Sequence, residues 1–238
     1  MNRLDDFWVY LSATPLLWLT ATCLAYYLSF RLYRKAGQNP LLNPVALSVI
    51  LLIAVLLATG TTYDAYFDGA QFVHFLLGPA TVALAVPVLQ NFARVKAALL
   101  PMAAALLAGS VTAIVSAVGI AYLLGATPET LRSLAPKSVT TPIAMGIAGQ
   151  IGGIPALTAV MVIATGIVGA IVATPILNLL GIKDWPARGF AVGVAAHGIG
   201  TARAFQVNEL AGTFAGLAMA LNGLATAILV PLLLRLTQ

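Results

Sequence analysis

Long stretches of this 238-residue sequence contain no charged residue, among them 36–63, 97–128, 138–182 and 210–234. Each is long enough to cross the hydrocarbon core of a bilayer, because a helix of about 20 apolar residues spans its roughly 30 Å. Only 8% of all residues are charged, whereas a soluble domain carries roughly a quarter. So few charges cannot cover a surface in water, and the sequence therefore predicts a multi-pass membrane protein.

The apolar stretches predict helices. Polar and apolar residues do not alternate as they do in membrane β-barrels, and a helix satisfies its own backbone hydrogen bonds in lipid. We predict an all-α fold with about seven transmembrane helices and one short re-entrant or broken segment, in a single membrane domain over 1–238. The first helix is retained, because no basic start with a cleavage site precedes it. The hydrophobic segments fall at about 7–30, 43–61, 71–91, 97–124, 138–151, 155–180, 188–205 and 211–235.

The basic residues predict the orientation, because lysine and arginine collect in cytoplasmic loops. The loop with Arg31, Arg34 and Lys35 is then cytoplasmic. Segment 138–151 is too short to cross comfortably, which leaves two topologies open. If it enters from outside and turns back, Lys183 and Arg188 lie in the cytoplasm; if it crosses, they lie outside. The charge rule favours the segment that turns back.

The topology with a turned-back segment predicts an inverted repeat. Residues 43–124 and 155–235 then hold three segments each, running in opposite directions. The middle segments are interrupted, at Gly78-Pro79 in the first half and at Gly198-Ile199-Gly200 in the second. Broken segments at matching places in two halves indicate the midplane binding site of a transporter.

The first candidate site is the stretch that begins at Ser138. Thr141 is a good helix N-cap and Pro142 suits the first helical position, so a short helix is predicted to start here and to end at Gly152-Gly153. Its free N–H groups, with the hydroxyls of Thr140 and Thr141, suit a carboxylate. The alternative is that these hydroxyls only cap a helix at the membrane interface.

The second candidate site is the stretch from His197 to Arg203, which includes Gly198, Gly200 and Thr201. A charge in the hydrocarbon region is costly and suggests a partner. Arg203 could grip a carboxylate with two parallel hydrogen bonds, and His197 could carry a coupled proton. The alternatives are that Arg203 reaches the interface and pairs with Glu209, and that His197 bonds a backbone carbonyl.

A third candidate is Asn222, an amide inside a charge-free segment. It could line the binding site or bond across helices. The single cysteine, Cys23, excludes cysteine metal sites and internal disulfides. No nucleotide loop, zinc motif or nucleophile elbow is present, and the net charge of +5 is dispersed among loops. We predict no enzyme activity, cofactor, metal or nucleic-acid partner.

Four strings in this sequence resemble the signatures of the LrgB/CidB family, in matching order and spacing. The strings are 137–145 (KSVTTPIAM), 151–155 (IGGIP), 195–203 (AAHGIGTAR) and 216–223 (GLAMALNG). The resemblance implies a multi-pass protein of the bacterial cytoplasmic membrane, with a fold akin to cation/proton antiporters and bile-acid transporters. It also implies a small LrgA/CidA-like membrane partner and a possible homo-oligomer.

The resemblance implies two functions. Plastid relatives and some bacterial ones suggest transport of glycolate, glycerate or pyruvate. The other is a holin- or antiholin-like modulator of murein hydrolase export and autolysis. Interrupted segments and a buried arginine suit a transporter better than a pore. We therefore expect alternating access for a small monocarboxylate, held by Arg203 and the amides near Thr141 and Pro142.

Overall fold

The structure is a computed structural model that describes residues 15–235, and within that range it contains helices and connections but no strand. A single 3-10 turn, Pro40–Leu42, joins the first two helices. The helices are α1 (Pro15–Lys35), α2 (Pro44–Thr59), α3 (Tyr63–Phe75), α4 (Leu77–Ala83), α5 (Ala85–Gln90), α6 (Phe92–Ala97), α7 (Leu99–Leu123), α8 (Pro128–Leu134), α9 (Thr141–Gln150), α10 (Pro155–Leu179), α11 (Trp185–Val207) and α12 (Glu209–Arg235).

Four helical stretches of the described range are long and apolar enough to cross a membrane: Tyr63–Gln90, Leu99–Leu123, Pro155–Leu179 and Glu209–Leu233. The shorter helix Pro44–Thr59 is also apolar. The all-α prediction is confirmed, and the count of about seven crossings stays a prediction. The predicted start of the first helix, near residue 7, lies outside the described residues.

The chain forms two compact units, Met1–Ala83 and Leu84–Gln238. In the first unit α1 packs against α2 and α3. Trp18 of α1 is buried and meets the ring of Tyr66 edge-on at 5.9 Å, while the Thr22 hydroxyl lies 3.1 Å from the Tyr66 hydroxyl. The single domain over 1–238 stays a prediction.

In the second unit, residues 134–153 form a hairpin, called here the first hairpin. Both of its ends lie at the start of α10. Ser133, just before it, accepts a hydrogen bond from the Ile154 N–H at its hydroxyl, at 2.7 Å. The Ser133 carbonyl accepts one from the Thr158 hydroxyl at 2.9 Å. A segment whose two ends touch returns to the side it came from. Of the two topologies left open by the sequence, this contact between the ends favours the one in which 138–151 turns back, which stays a prediction.

Helix α11 is itself a hairpin, called here the second hairpin, that folds back at His197. A methyl group at Gly200 would lie 2.6 Å from Ala196 Cβ and 2.9 Å from Val192 Cγ1, although eight residues of straight helix would separate Val192 and Gly200 by about 12 Å. Residues from both ends of α11, such as Trp185 and Val207, line one small cavity. The two halves of α11 therefore lie side by side.

The first half of the second hairpin packs against α12, and the two helices run in the same direction. A methyl group at Gly189 would collide with the Ala211 carbonyl, and one at Gly193 with the Ala215 carbonyl. Because Gly189 is level with Ala211 and Gly193 with Ala215, α12 begins at the same end as α11. The close approach needs glycine, since any side chain would push the helices apart.

The folded-back α11 corrects one sequence prediction. We expected 188–205 to cross as the middle segment of a second triplet, but it returns to the end from which it started. Apolar length could not reveal this, because two half-crossings need as many apolar residues as one crossing. The polarity argument for an inverted repeat of 43–124 and 155–235 therefore loses its basis, and the repeat is not confirmed.

Two local predictions shift by a few residues. The first interruption falls at Leu76, between α3 and α4, one turn before Pro79, whose ring excludes the helical carbonyl four residues earlier. Helix α9 is capped by Thr140, not Thr141, with Pro142 in its first turn. Proline fits there because the first N–H groups of a helix have no partner in any case.

Candidate functional site

His197 forms the tip of the second hairpin. Its backbone has φ 40° and ψ −135°, a left-handed conformation that costs energy for a residue with a Cβ. The side chain is buried, and Nε2 lies 2.9 Å from the Val162 carbonyl of α10. Gly166 leaves room for the ring, since a methyl group there would lie 2.7 Å from His197 Cε1. The predicted alternative of a bond to a backbone carbonyl is the arrangement found.

The tip of the first hairpin, Ser138–Thr141, lies beside the same residue of α10. Val139 is fully buried and forms one cluster with Ala144 and Val162. Val162 is the eighth of the 25 residues of α10. The two hairpins therefore start from opposite ends of α10, and their tips meet about two turns after its first residue.

Asn222 of α12 joins the two tips. Its amide nitrogen donates to the Ser138 carbonyl at 3.1 Å and to the Val194 carbonyl at 3.0 Å. Its oxygen accepts from the Ser110 hydroxyl of α7 at 2.6 Å and from the Thr226 hydroxyl at 3.4 Å.

The Val194 bond follows from the break in α11. In an unbroken helix the Val194 carbonyl would accept the N–H of Gly198, but the turn at His197 removes that partner. Asn222 replaces it. With both amide protons donated and its oxygen accepting twice, this buried side chain has no further hydrogen-bonding capacity for a ligand in this conformation.

Lys137, beside the first tip, was not among the candidate residues. It is half-buried, and its Nζ donates to the Ser138 hydroxyl at 3.3 Å. No acidic side chain among residues 15–235 forms a salt bridge with it. A cation away from bulk water without a counter-ion suits an anionic ligand. Sequence reasoning missed Lys137 because it ends the loop 125–137, which also holds Glu129 and Arg132 and therefore resembles a solvated connection.

The structure does not bring Arg203 to the tips. It lies in the returning half of α11 and lines the small cavity shared with Thr174, Arg188 and Gly189, toward the open end of the hairpin. Arg188 is buried, donates to the Ile182 carbonyl at 2.7 Å and lies over the Trp185 ring. The cavity that Arg203 lines contains none of the residues of the first tip, so the structure does not show the single carboxylate site of Arg203 and the amides near Thr141 that we expected.

The remaining predicted residues lie close to one tip or the other. Thr140 and Thr141 are half-buried and Pro142 is exposed; the Thr140 side chain makes no capping bond to α9. The buried Thr201 hydroxyl donates to the His197 carbonyl at 2.7 Å. Gly198 is half-buried and Gly200 is buried between the two halves of α11. Within residues 15–235, no three His, Cys, Asp or Glu side chains come together as a metal site would require.

The geometry defines an all-helical membrane protein with two facing helical hairpins. The chain belongs to the LrgB-like family, whose model matches residues 22–236. It is 32% identical to the Holin-like protein CidB of Staphylococcus epidermidis (strain RP62A), over 95% of this chain and 98% of that protein. It is 35% identical to the uncharacterized protein YwbG of Bacillus subtilis, over 81% of this chain and 85% of the relative.

A third relative, an uncharacterized protein of Haemophilus influenzae, is 34% identical over 85% of this chain and 87% of its own length. No solved structure matches the chain. The predicted family is confirmed. The name Holin-like protein CidB, which these Staphylococcus relatives carry, favours the holin-like alternative over carboxylate transport.

Proposed function

We propose that this protein moves a small monocarboxylate across the bacterial cytoplasmic membrane by alternating access. The observation that carries the proposal is the meeting of two hairpin tips, Ser138–Thr141 and His197–Gly198, beside Val162 of α10. A binding site between two broken segments near the bilayer midplane can be opened to either side by small movements of one hairpin. A simple pore needs no such arrangement.

The groups around the first tip suit a carboxylate. Lys137 supplies a positive charge, and α9 points its N-terminus toward the same place, with the Thr140 hydroxyl unused as a cap. Unpaired N–H groups and a helix dipole favour an anion there. Lys137 thus replaces Arg203 as the residue that holds the carboxylate. His197 stays the proposed proton carrier, because its ring faces the same region from the other tip.

Uptake of labelled pyruvate, glycolate and glycerate into proteoliposomes, with an imposed pH gradient, tests this function. We expect saturable uptake that falls by at least about tenfold in Lys137→Gln, because an anion loses its paired charge, and that Lys137→Arg partly retains. The matched control is Lys96→Gln, at an exposed lysine, for which uptake should stay within about twofold.

Arg203→Ala belongs in the same series. If it abolishes uptake and Lys137→Gln does not, the carboxylate binds at Arg203, as the sequence suggested. If neither variant differs from the parent protein, neither cation holds the substrate. Absence of uptake in the parent, both alone and with an LrgA/CidA-type partner, would exclude transport of these solutes.

The second candidate function is a holin-like modulator of murein hydrolase export and autolysis. The observation in its favour is the name Holin-like protein CidB, carried by relatives from two Staphylococcus species. In a bacterial strain that lacks its own LrgB-type protein, restored autolysis by both the parent and Lys137→Gln, without carboxylate uptake in liposomes, would favour this function. Restored autolysis by the parent alone would link it to the proposed anion site.

A further inference from the structure

A groove runs along the second unit between α7 and the first half of α11. Its inner part has a volume of about 440 Å³, and its wider outer part about 610 Å³. The two parts are continuous, since Ala98, Asp184, Pro186 and Phe214 line both. Small residues one helical turn apart form its walls: Ala105, Gly109 and Ala113 on α7, and Ala187, Ala191 and Ala195 on α11.

The outer part of the groove carries charges. Arg94, Lys183 and Asp184 line it, and all three are exposed. The Asp184 carboxylate caps α11 by accepting the Ala187 N–H at 2.9 Å, so it is held at the wall of the groove. A carboxylate and two cations are costly beside lipid chains, so water is the medium that suits this mouth. The mouth has a net positive charge, which attracts anions.

The inner end of the groove lies at the hydrogen bonds of Asn222. Gly109 and Val194 line the inner part; Gly109 precedes Ser110, which donates to Asn222, and the Val194 carbonyl accepts from Asn222. From Asp184 to Ala195 the helix rises by about 16 Å, roughly half of the hydrocarbon thickness. The groove thus extends from a charged mouth to the level where the two hairpin tips meet.

We propose that this groove is a water-filled path by which a small anion reaches the Ser110–Asn222 hydrogen bond from the side of Arg94 and Lys183. The inference rests on the proposed transport function and names its access route on one side. Asn222 closes the inner end of the path, because it bonds α7 and both hairpin tips at once. In the sequence-based orientation this side is the cytoplasm.

Thiol labelling tests the path without any solute flux. Cys23 is the only cysteine, so Cys23→Ser gives a background without thiols. In that background Ala105→Cys and Ala191→Cys place a thiol in the groove. Leu107→Cys is the matched control, because Leu107 is on the same helix as Ala105 and 55% exposed, but does not line the groove.

Reaction with a membrane-impermeant methanethiosulfonate requires a thiolate, which forms in water and not in lipid. We expect both groove thiols to react at least about tenfold faster than the control, and only from the side of Lys183. The anionic reagent should lose several-fold in rate when Arg94→Gln and Lys183→Gln are combined, whereas a cationic reagent should not lose rate.

Equal or absent reaction at the groove and control thiols would overturn the path, because lipid or protein would then fill the groove. Reaction that is unaffected by removing Arg94 and Lys183 would overturn the attraction of anions. If the groove thiols are labelled but the protein moves no carboxylate, the water-filled path is supported and the transport function is overturned. Uptake without labelling would overturn the path alone.

Discussion

The two hairpins that meet beside Val162 are built in different ways. The first hairpin has a tip made of turns, which carries the polar groups of Lys137 and Ser138, and its base is held by two hydrogen bonds to Ser133. The second has a buried tip at His197 and packs along its length against α10 and α12 through glycines. The difference indicates two separate roles. The second hairpin is a rigid wall, and the first presents the polar groups that contact a solute.

The packing of the second hairpin gives the prediction with the largest effect. Gly193→Leu places a side chain where the Ala215 carbonyl already lies, so α11 and α12 must separate. We expect a loss of about 3 kcal/mol or more in the free energy of unfolding, or no folded protein, because backbone cannot move aside as a side chain can. Thermal unfolding and gel filtration in detergent measure it.

Gly119→Leu is the control for that variant. Gly119 is inside α7, and a methyl group there meets no atom within 4 Å, so the change should leave stability unchanged or slightly raised. A Gly193→Leu protein as stable as the Gly119→Leu protein would contradict the rigid-wall interpretation.

The hydrogen bonds of Asn222 give the second prediction, because they connect the first hairpin to the second. Asn222→Leu keeps the volume but leaves the Ser138 and Val194 carbonyls and the Ser110 hydroxyl without this partner. We expect a loss of about 3 kcal/mol in the free energy of unfolding, because each buried unsatisfied group costs about 1–3 kcal/mol. The control is Asn178→Leu, at an exposed asparagine, with an expected change within about 0.5 kcal/mol.

A readout at the first tip sharpens this prediction. In the Cys23→Ser background, Ser138→Cys should react with a water-soluble thiol reagent faster when Asn222→Leu is added, because the tip is released. An unchanged rate, together with an unchanged free energy of unfolding, would mean that Asn222 does not hold the tips together.

The sequence predicts the elements of this fold better than their paths. Charge-free runs place α7, α10 and α12 within a few residues, because apolar length and charge are properties that lipid selects directly. They cannot distinguish a helix that crosses from one that folds back, as α11 does. The interruption near Gly198 was predicted from glycine, but the turn is at His197, and a positive φ is uncommon for any residue other than glycine.

The candidate site was predictable only in part, for a similar reason. A polar residue in an apolar run stands out, and His197, Arg203 and Asn222 were found in this way. Which of them face one another depends on where α11 turns, so the sequence could not show that Arg203 lies in the returning half of α11 and lines a separate cavity. Lys137 was missed because a charge at the end of a loop resembles a solvated charge. Only the fold shows that Lys137 lies beside the tip that contacts Val162 of α10.

The strained backbone of His197 gives the smallest and most specific prediction. His197→Ala and His197→Gly both lose the bond to the Val162 carbonyl and leave similar space. Only alanine keeps the cost of a Cβ at φ 40°, so the glycine variant should be more stable by about 1 kcal/mol. At the exposed Ala202, inside regular helix, glycine should instead be less stable than alanine by about 0.5–1 kcal/mol. The reversed sign at two positions of one hairpin can be measured by thermal unfolding of the three variants and the parent. If glycine also destabilises relative to alanine at position 197, the left-handed turn is absent in solution, and with it the fold-back that brings the second tip to Asn222.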